Sequence, residues 1–336
     1  MRKLEKLRYL LKEKEADCII LHWSDPNHNW FLEEEVEGSF VVIEADKVML
    51  LKTPLETYSK KGVEIINVKS KEEIKKIFGK YEKVLLNFTN ITLSQRNLFD
   101  KAKLADITRD MDEIRSKKEI DEIVKIRRAC KHTDKCFELL IEKIPGFNTE
   151  KEAERFIKTY ALENELELSF SPIIASGKNA SKPHHKPESN LHKGFCVIDF
   201  GFKYKGYCSD MTRTIYIGSP SEEEEKIYEK ILGVQENAIR RAIVGAKTDY
   251  LDKTVRKELG VLADLFNHSL GHGLGVEVHE APSFKNSNLK ENMIITIEPG
   301  VYKENSYGIR IEDDVIVKEK PEVLTKSPKE LVIIGN

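Results

Sequence analysis

The chain has 336 residues, with 57 acidic and 55 basic side chains and a formal net charge of −2. That length exceeds one compact core and predicts two domains of unequal size, while the near balance of charge leaves no basic field for nucleic acid and no polybasic face for anionic lipid. No apolar run reaches the roughly 20 residues that span a bilayer, and the charged start MRKLEKLRYLLKEKEA is unlike a secretory signal, so the expected setting is the cytoplasm, with no membrane and a small molecule or peptide as partner.

From the N-terminus, Leu4, Leu7, Leu10 and Leu11 predict a helix over Arg2 to Lys14, and the apolar run Cys18 to Leu21 reads as a strand. Phe40 to Ile43 and Val48 to Leu51 flank Glu44-Ala45-Asp46-Lys47 as a hairpin. Val63 to Val68, Val84 to Leu86 and a weak strand near Ile107 follow, with short helices at Ser70 to Phe78 and Thr92 to Lys101. This pattern predicts a small α/β domain with a mixed sheet. Asp110 to Lys118 is charged and sparsely apolar and reads as a linker, which divides the chain into domains 1–112 and 113–336.

Beyond it, Ile120, Ile123, Val124, Phe137, Leu140, Ile141 and Ile144 predict a long amphipathic helix over Lys118 to Ile144, closed by Pro145-Gly146. A second helix spans Thr149 to Glu165, with Thr149 as N-cap and Glu152 at the capping-box position. A third runs from Ser221 to about Gly245, its four opening glutamates suiting the positive end of the helix dipole rather than a metal. Two strand pairs, Cys196 to Phe200 with Tyr207 to Ile217 and Met293 to Glu298 with Ile309 to Val317, read as hairpins. Strands and helices are segregated here, so the second domain is expected to be α+β with an antiparallel sheet. The cysteines Cys18, Cys130, Cys136, Cys196 and Cys208 are odd in number and lack a Cys-x-x-Cys pair, which argues against a disulfide framework and for small, half-buried core residues.

Each predicted hairpin delivers two carboxylates: Asp199 and Asp210 from the first, Glu298 and Glu312 from the second. Four acids in one pocket cannot all stay ionised without counter-charge, and two divalent cations would supply it, leaving a hydroxide as the natural extra bridging ligand. His272, in Gly271-His272-Gly273-Leu274-Gly275, adds one nitrogen where small neighbours let the backbone approach closely. An oxygen-rich set with one imidazole suits manganese, cobalt or ferrous iron, with zinc as a further option. The alternative for any one of these residues taken alone is a surface acid or a core histidine. His279 and His184, beside this set in sequence, have the titration range to shuttle a proton in amide hydrolysis. His185 reads as a surface residue, with a secondary contact as the alternative.

The runs IIASGKNASKPHHKP, VIDFGFKYKGYCSDMTRT, NHSLGHGLGVEVHEAP, IITIEPGVY and YGIRIEDDV resemble the ordered motifs of the pita-bread metallopeptidases, in particular the Xaa-Pro peptidases that comprise prolidase and aminopeptidase P. The match covers about residues 115 to 330, with the long helix beginning at RSKKEID. The resemblance implies a creatinase-like first domain before a pita-bread catalytic domain, two metal ions per chain and a homodimer. Asp199 would chelate one ion, Asp210 and Glu312 would bridge both, and His272 and Glu298 would bind the second. It implies further that His184 contacts the leaving group or intermediate, that His279 contacts the substrate, and that Tyr302 and Arg310 orient groups in the site. The expected substrate is a peptide with proline at its second position. Asn27 to Gly38 reads NHNWFLEEEVEG and departs from the family's short tyrosine-leucine-threonine-glycine pattern. The alternatives are methionine aminopeptidase activity, which the extra first domain opposes, and a non-catalytic peptide-binding relative, which the full ligand set opposes.

Overall fold

A computed structural model describes residues 2–188 and 190–335. The chain divides into two compact units, Met1–Arg115 and Ser116–Asn336. In the first, the strands β1 (Cys18–His22), β2 (Phe40–Ile43), β3 (Val48–Lys52), β4 (Glu64–Asn67), β5 (Lys83–Leu86) and β6 (Lys103–Asp106) lie in the order β4-β3-β2-β1-β5-β6. The β1–β2 and β2–β3 pairs are antiparallel and the other three parallel, giving the mixed sheet expected. The strands β2 and β3 are buried along their whole length, which is why they are continuous apolar runs instead of alternating ones.

Three local expectations for this unit are corrected. The segment read as a helix over Thr92 to Lys101 is helical only at Leu93–Arg96. The charged stretch read as a linker is largely the helix Thr108–Ser116. An unpredicted helix, Pro26–Leu32, begins at the N-cap Asp25 and buries Trp30, Phe31 and Leu32, so it lacks the polar face that reveals a helix in sequence.

The second unit is built on two larger sheets. Ile173–Ser176, Gly194–Phe200 and Met211–Ile217 pair antiparallel, and Ile333–Ile334 adds a parallel edge. In the other sheet, Glu280–Ser283, His272–Gly273, Ile294–Ile297, Asp313–Ile316 and Glu322–Val323 are antiparallel throughout. The helices Ile120–Lys143 and Glu150–Glu163 share one core with the first sheet, through Phe137, Leu140 and Ile157 against Ile174, Ile198 and Ile215. The helices Glu222–Arg241 and Thr248–Leu259 share another with the second, through Ile231, Val234 and Val255 against Ile295, Ile297 and Val315. This is the expected α+β arrangement. Capping boxes start three of these helices, Glu119 with Glu122, Thr149 with Glu152 and Ser221 with Glu224. A lost cap of this kind costs about 1 kcal/mol.

Here too the structure corrects details. Ile120 and Val124, placed on the apolar stripe, are 72% and 54% exposed; Ile123, Phe137 and Leu140 are buried as expected, and Ile126 and Cys130 complete the buried stripe. The cysteines are all free and fully buried, not half-buried. Helix Thr248–Leu259 went unpredicted although Leu251, Val255 and Leu259 recur every four residues. The strand expected over Ile309 to Val317 is two strands: Tyr307–Arg310 pairs with Gly300–Lys303 in a separate ribbon, and Asp313–Ile316 pairs with Ile294–Ile297. Among the described residues, no helix is long and apolar enough to cross a membrane.

Candidate metal centre

The acids stand at the ends and breaks of strands, where the backbone leaves its ladder. Asp199 is the penultimate residue of Gly194–Phe200 and lies opposite Thr212. Asp210 immediately precedes Met211–Ile217, Glu298 immediately follows Ile294–Ile297, and Glu312 occupies the break between Tyr307–Arg310 and Asp313–Ile316. The Glu312 amide donates to the Thr212 carbonyl at 3.1 Å, which ties the two strand systems together at this point. His272 enters between glycines for a steric reason: a Cβ at Gly271 would stand 2.0 Å from the Thr296 carbonyl oxygen, and one at Gly273 would stand 2.2 Å from that of Ala281.

Ligand atoms of Asp210, His272 and Glu312 lie within 4.8 Å of one another. His272 Nε2 is 3.7 Å from Asp210 Oδ2 and 3.3 Å from Glu298 Oε1. On its other side, His272 Nδ1 lies 3.2 Å from the Gly273 carbonyl oxygen, a contact that fixes the ring so that Nε2 faces the acids. Asp199 Oδ2 accepts from Arg310 Nη2 at 2.6 Å, whereas its buried Oδ1 has no hydrogen-bond partner. Thr212 Oγ1 donates to Glu312 Oε2 at 2.7 Å and accepts from Arg310 Nε at 2.9 Å.

Burial, with Glu312, Asp199 and Asp314 beside it, pushes the Asp210 carboxyl well above the ordinary range; burial and then Glu298 and Asp199 do the same to Glu312. Asp199 is raised by burial against the opposing pull of Arg310. Burial also works to raise Glu298, but its hydrogen bond to His272 holds it below the ordinary range. A floor of buried acids that repel one another, one of them with an orphaned oxygen, is the donor set that a divalent cation satisfies.

All five of these residues line one open cleft of about 790 Å³, together with His184, His279 and Arg310. His184 and His279 are exposed on its wall, the His279 ring 4.2 Å from that of His272 in an edge-on contact. Tyr302 is not on the wall: it is buried, and its hydroxyl meets Arg310 Nη1 at 2.6 Å and His268 Nε2 at 3.0 Å. His185 is not a surface residue; it is buried against Glu150. Two residues of the site escape the sequence reading as participants. Thr212 stands two positions after Asp210, and His268 lines the cleft four positions before His272 in NHSLGHG.

The profile of metallopeptidase family M24 matches residues 124–319, and that of the creatinase/prolidase N-terminal domain matches residues 3–117. An Xaa-Pro dipeptidase of Pyrococcus furiosus is 33% identical over 351 aligned positions that cover 98% of this chain and 99% of its own. The structure of an Xaa-Pro dipeptidase from Bacillus anthracis is similar with a TM-score of 0.91 at 29% identity, covering 99% of both chains. That of an X-Pro aminopeptidase from Thermotoga maritima gives 0.86 at 30% identity, covering 95% of this chain and 98% of the other. A creatinase-type first domain before an acid-floored catalytic domain defines a metallo-exopeptidase. The chain belongs to metallopeptidase family M24, within the Xaa-Pro peptidase group that carries the pita-bread fold.

Proposed function

We propose that the protein hydrolyses the peptide bond between an N-terminal residue and a following proline, using two divalent cations held by Asp199, Asp210, His272, Glu298 and Glu312. One observation carries this reading: the ligand atoms of Asp210, His272 and Glu312 converge to within 4.8 Å at a cleft that Asp199 and Glu298 also line. Asp199 would serve one ion, His272 and Glu298 the other, and Asp210 and Glu312 both. Manganese or cobalt fits this donor set, as do iron and zinc. When bound, such ions supply Lewis acidity toward a carbonyl and lower the pKa of water.

The remaining work falls to the chain. A free, neutral α-amino group would be held at the metal centre, which selects for an N-terminal residue. Proline offers no amide hydrogen, so a site that reads that hydrogen fails on it. His184 and His279, exposed on the cleft wall, are placed to hold the substrate carbonyl and pass a proton to the departing nitrogen. Arg310 orients Asp199 directly and Glu312 through Thr212, with Tyr302 bracing its far side. We also take the working particle to be a homodimer in the cytoplasm; sedimentation at monomer mass would reject the first part.

The test is a ratio of kcat/KM values for the manganese-loaded chain on Xaa-Pro and Met-Ala peptides. Xaa-Pro peptides should be preferred by about 100-fold or more, a discrimination within reach of a shaped site. Equal or better cleavage of Met-Ala peptides would establish methionine aminopeptidase activity instead. Peptide binding without turnover in the loaded protein would leave a binding module.

A further inference from the structure

His184 reaches the cleft from an exposed loop and makes no hydrogen bond among the described residues. Its neighbour is the opposite case. His185 Nε2 lies 2.7 Å from Glu150 Oε2, with the two side chains 3% and 0% exposed. Glu150 is the first residue of the helix Glu150–Glu163, yet that helix is already capped by the reciprocal bonds of Thr149 and Glu152. The Glu150 carboxylate is therefore available for something else, and it gathers five donors. Oε1 accepts from the Ser176 amide and hydroxyl at 2.7 Å each and from Asn179 Nδ2 at 3.2 Å. Oε2 accepts from His185 Nε2 at 2.7 Å and from the Glu188 amide at 2.8 Å.

These donors come from a strand end, a 3-10 turn and the histidine loop, so one carboxylate draws the segment 176–188 together on both sides of His184. The loop is cross-tied again where the His185 amide donates to the Lys182 carbonyl at 3.1 Å. Burial works to raise the Glu150 carboxyl, but bonds from Ser176, Glu188 and His185 bring it below the ordinary range, so it stays charged and the His185 proton sits on Nε2.

We infer that Glu150, acting through His185, is the positioning group for His184: it fixes the loop that holds this imidazole over the cleft. The inference rests on the reading of His184 as a participant in hydrolysis. A reacting group misplaced by about 1 Å can lose on the order of 100-fold in rate, so an anchor of this kind acts on kcat more than on KM.

The experiment is a double-mutant cycle on the full-length, manganese-loaded protein with an Xaa-Pro dipeptide. Glu150→Gln keeps the shape but cannot accept from all five donors; His185→Leu, which has no donor, breaks only the link to the loop. Each should lower kcat by about 10-fold and change KM by less than about twofold, with metal content unchanged. In a His184→Ala background neither should lower kcat further, an outcome that a general loss of folding or of metal cannot produce. Losses that multiply in the double variants would overturn the proposal. So would wild-type kcat in His185→Leu when His184→Ala is impaired, and this variant carries the test if Glu150→Gln fails to fold. Wild-type kcat in His184→Ala would instead refute the role of His184 itself, and the anchor with it.

Discussion

Asp210 has its carboxylate 3.7 Å from His272 Nε2, is buried, and has Glu312, Asp199 and Asp314 as like-charged neighbours. Burial and those neighbours raise its pKa, and burial pushes Asp314 up to about 8. A carboxyl whose folded pKa lies above its unfolded value, about 4, lends stability that is complete below that value and is lost as pH rises toward the folded one. After chelation the protein should therefore carry an unrelieved repulsion at pH 8, which Asp210→Asn removes. In chelator the variant should melt higher than the natural protein at pH 8, by about 2–4 °C for each ~1 kcal/mol relieved, and the difference should shrink toward pH 4. With manganese the order should reverse, since only the natural protein gains from the ion. Turnover of the variant should fall by about three orders of magnitude, the loss of several kcal/mol of charge stabilisation. Thermal melts at both pH values check the sign, and a chelated variant that melts lower at pH 8 would show that Asp210 is not under repulsion.

Lys118, just before the long helix Ile120–Lys143, places Nζ 2.7 Å from Glu280 Oε1, and the two side chains are 1% and 4% exposed. Glu280 starts the strand Glu280–Ser283 and follows His279 directly, so this ion pair fixes one end of the second cleft histidine's loop to a helix start. Removing one member of a buried pair costs about 3–5 kcal/mol, while removing both charges can be nearly neutral. Lys118→Met should thus destabilise by about 3 kcal/mol in urea titrations, and Lys118→Met with Glu280→Gln should recover most of that. Equal losses in the single and double variants would mean that packing, not charge, is at stake. Partners of this kind mark the limit of what is legible in the chain. The capping boxes at Thr149 and Ser221 are written within four residues and can be read there. So can the apolar runs of β1 to β3 and the four acids on two strand systems. The pairing of Lys118 with Glu280 spans 162 residues and that of His185 with Glu150 spans 35, and no local pattern announces either. The break at Glu312 is hidden for a related reason. Ile309 to Val317 is mostly apolar at alternate positions, with Arg310, Glu312 and Asp314 between, which suits one long strand as well as two. Only the competition between two partner strands, Gly300–Lys303 and Ile294–Ile297, decides it.

Across the whole molecule, the expected ligands come from three separated stretches, 199–210, 272 and 298–312, and all lie in the unit Ser116–Asn336. A cation bound among them links those stretches energetically, because any opening that breaks the site must also release the ion. Binding stabilises the closed form by RT ln(1 + [L]/Kd), about 2.7 kcal/mol at a free ion concentration of roughly 100 Kd. Amides that exchange only through such openings should therefore slow by about 100-fold, whereas amides freed by openings that leave the site intact should not change. Adding manganese should slow hydrogen exchange in Gly194–Phe200, Met211–Ile217, Ile294–Ile297 and Asp313–Ile316 together, although the first two strands belong to a different sheet from the last two. The strands β1 to β6 contribute no ligand and should exchange at the same rate with or without the ion. In Asp210→Asn the slowing should disappear from all four strands at once, since they share one ion site rather than four local effects. Mass-spectrometric exchange on peptides from both units measures this directly. Slowing that reached β1 to β6 equally would mean that the ions stabilise the chain as one cooperative unit, and slowing confined to other segments would place the metal away from the acids at the strand ends.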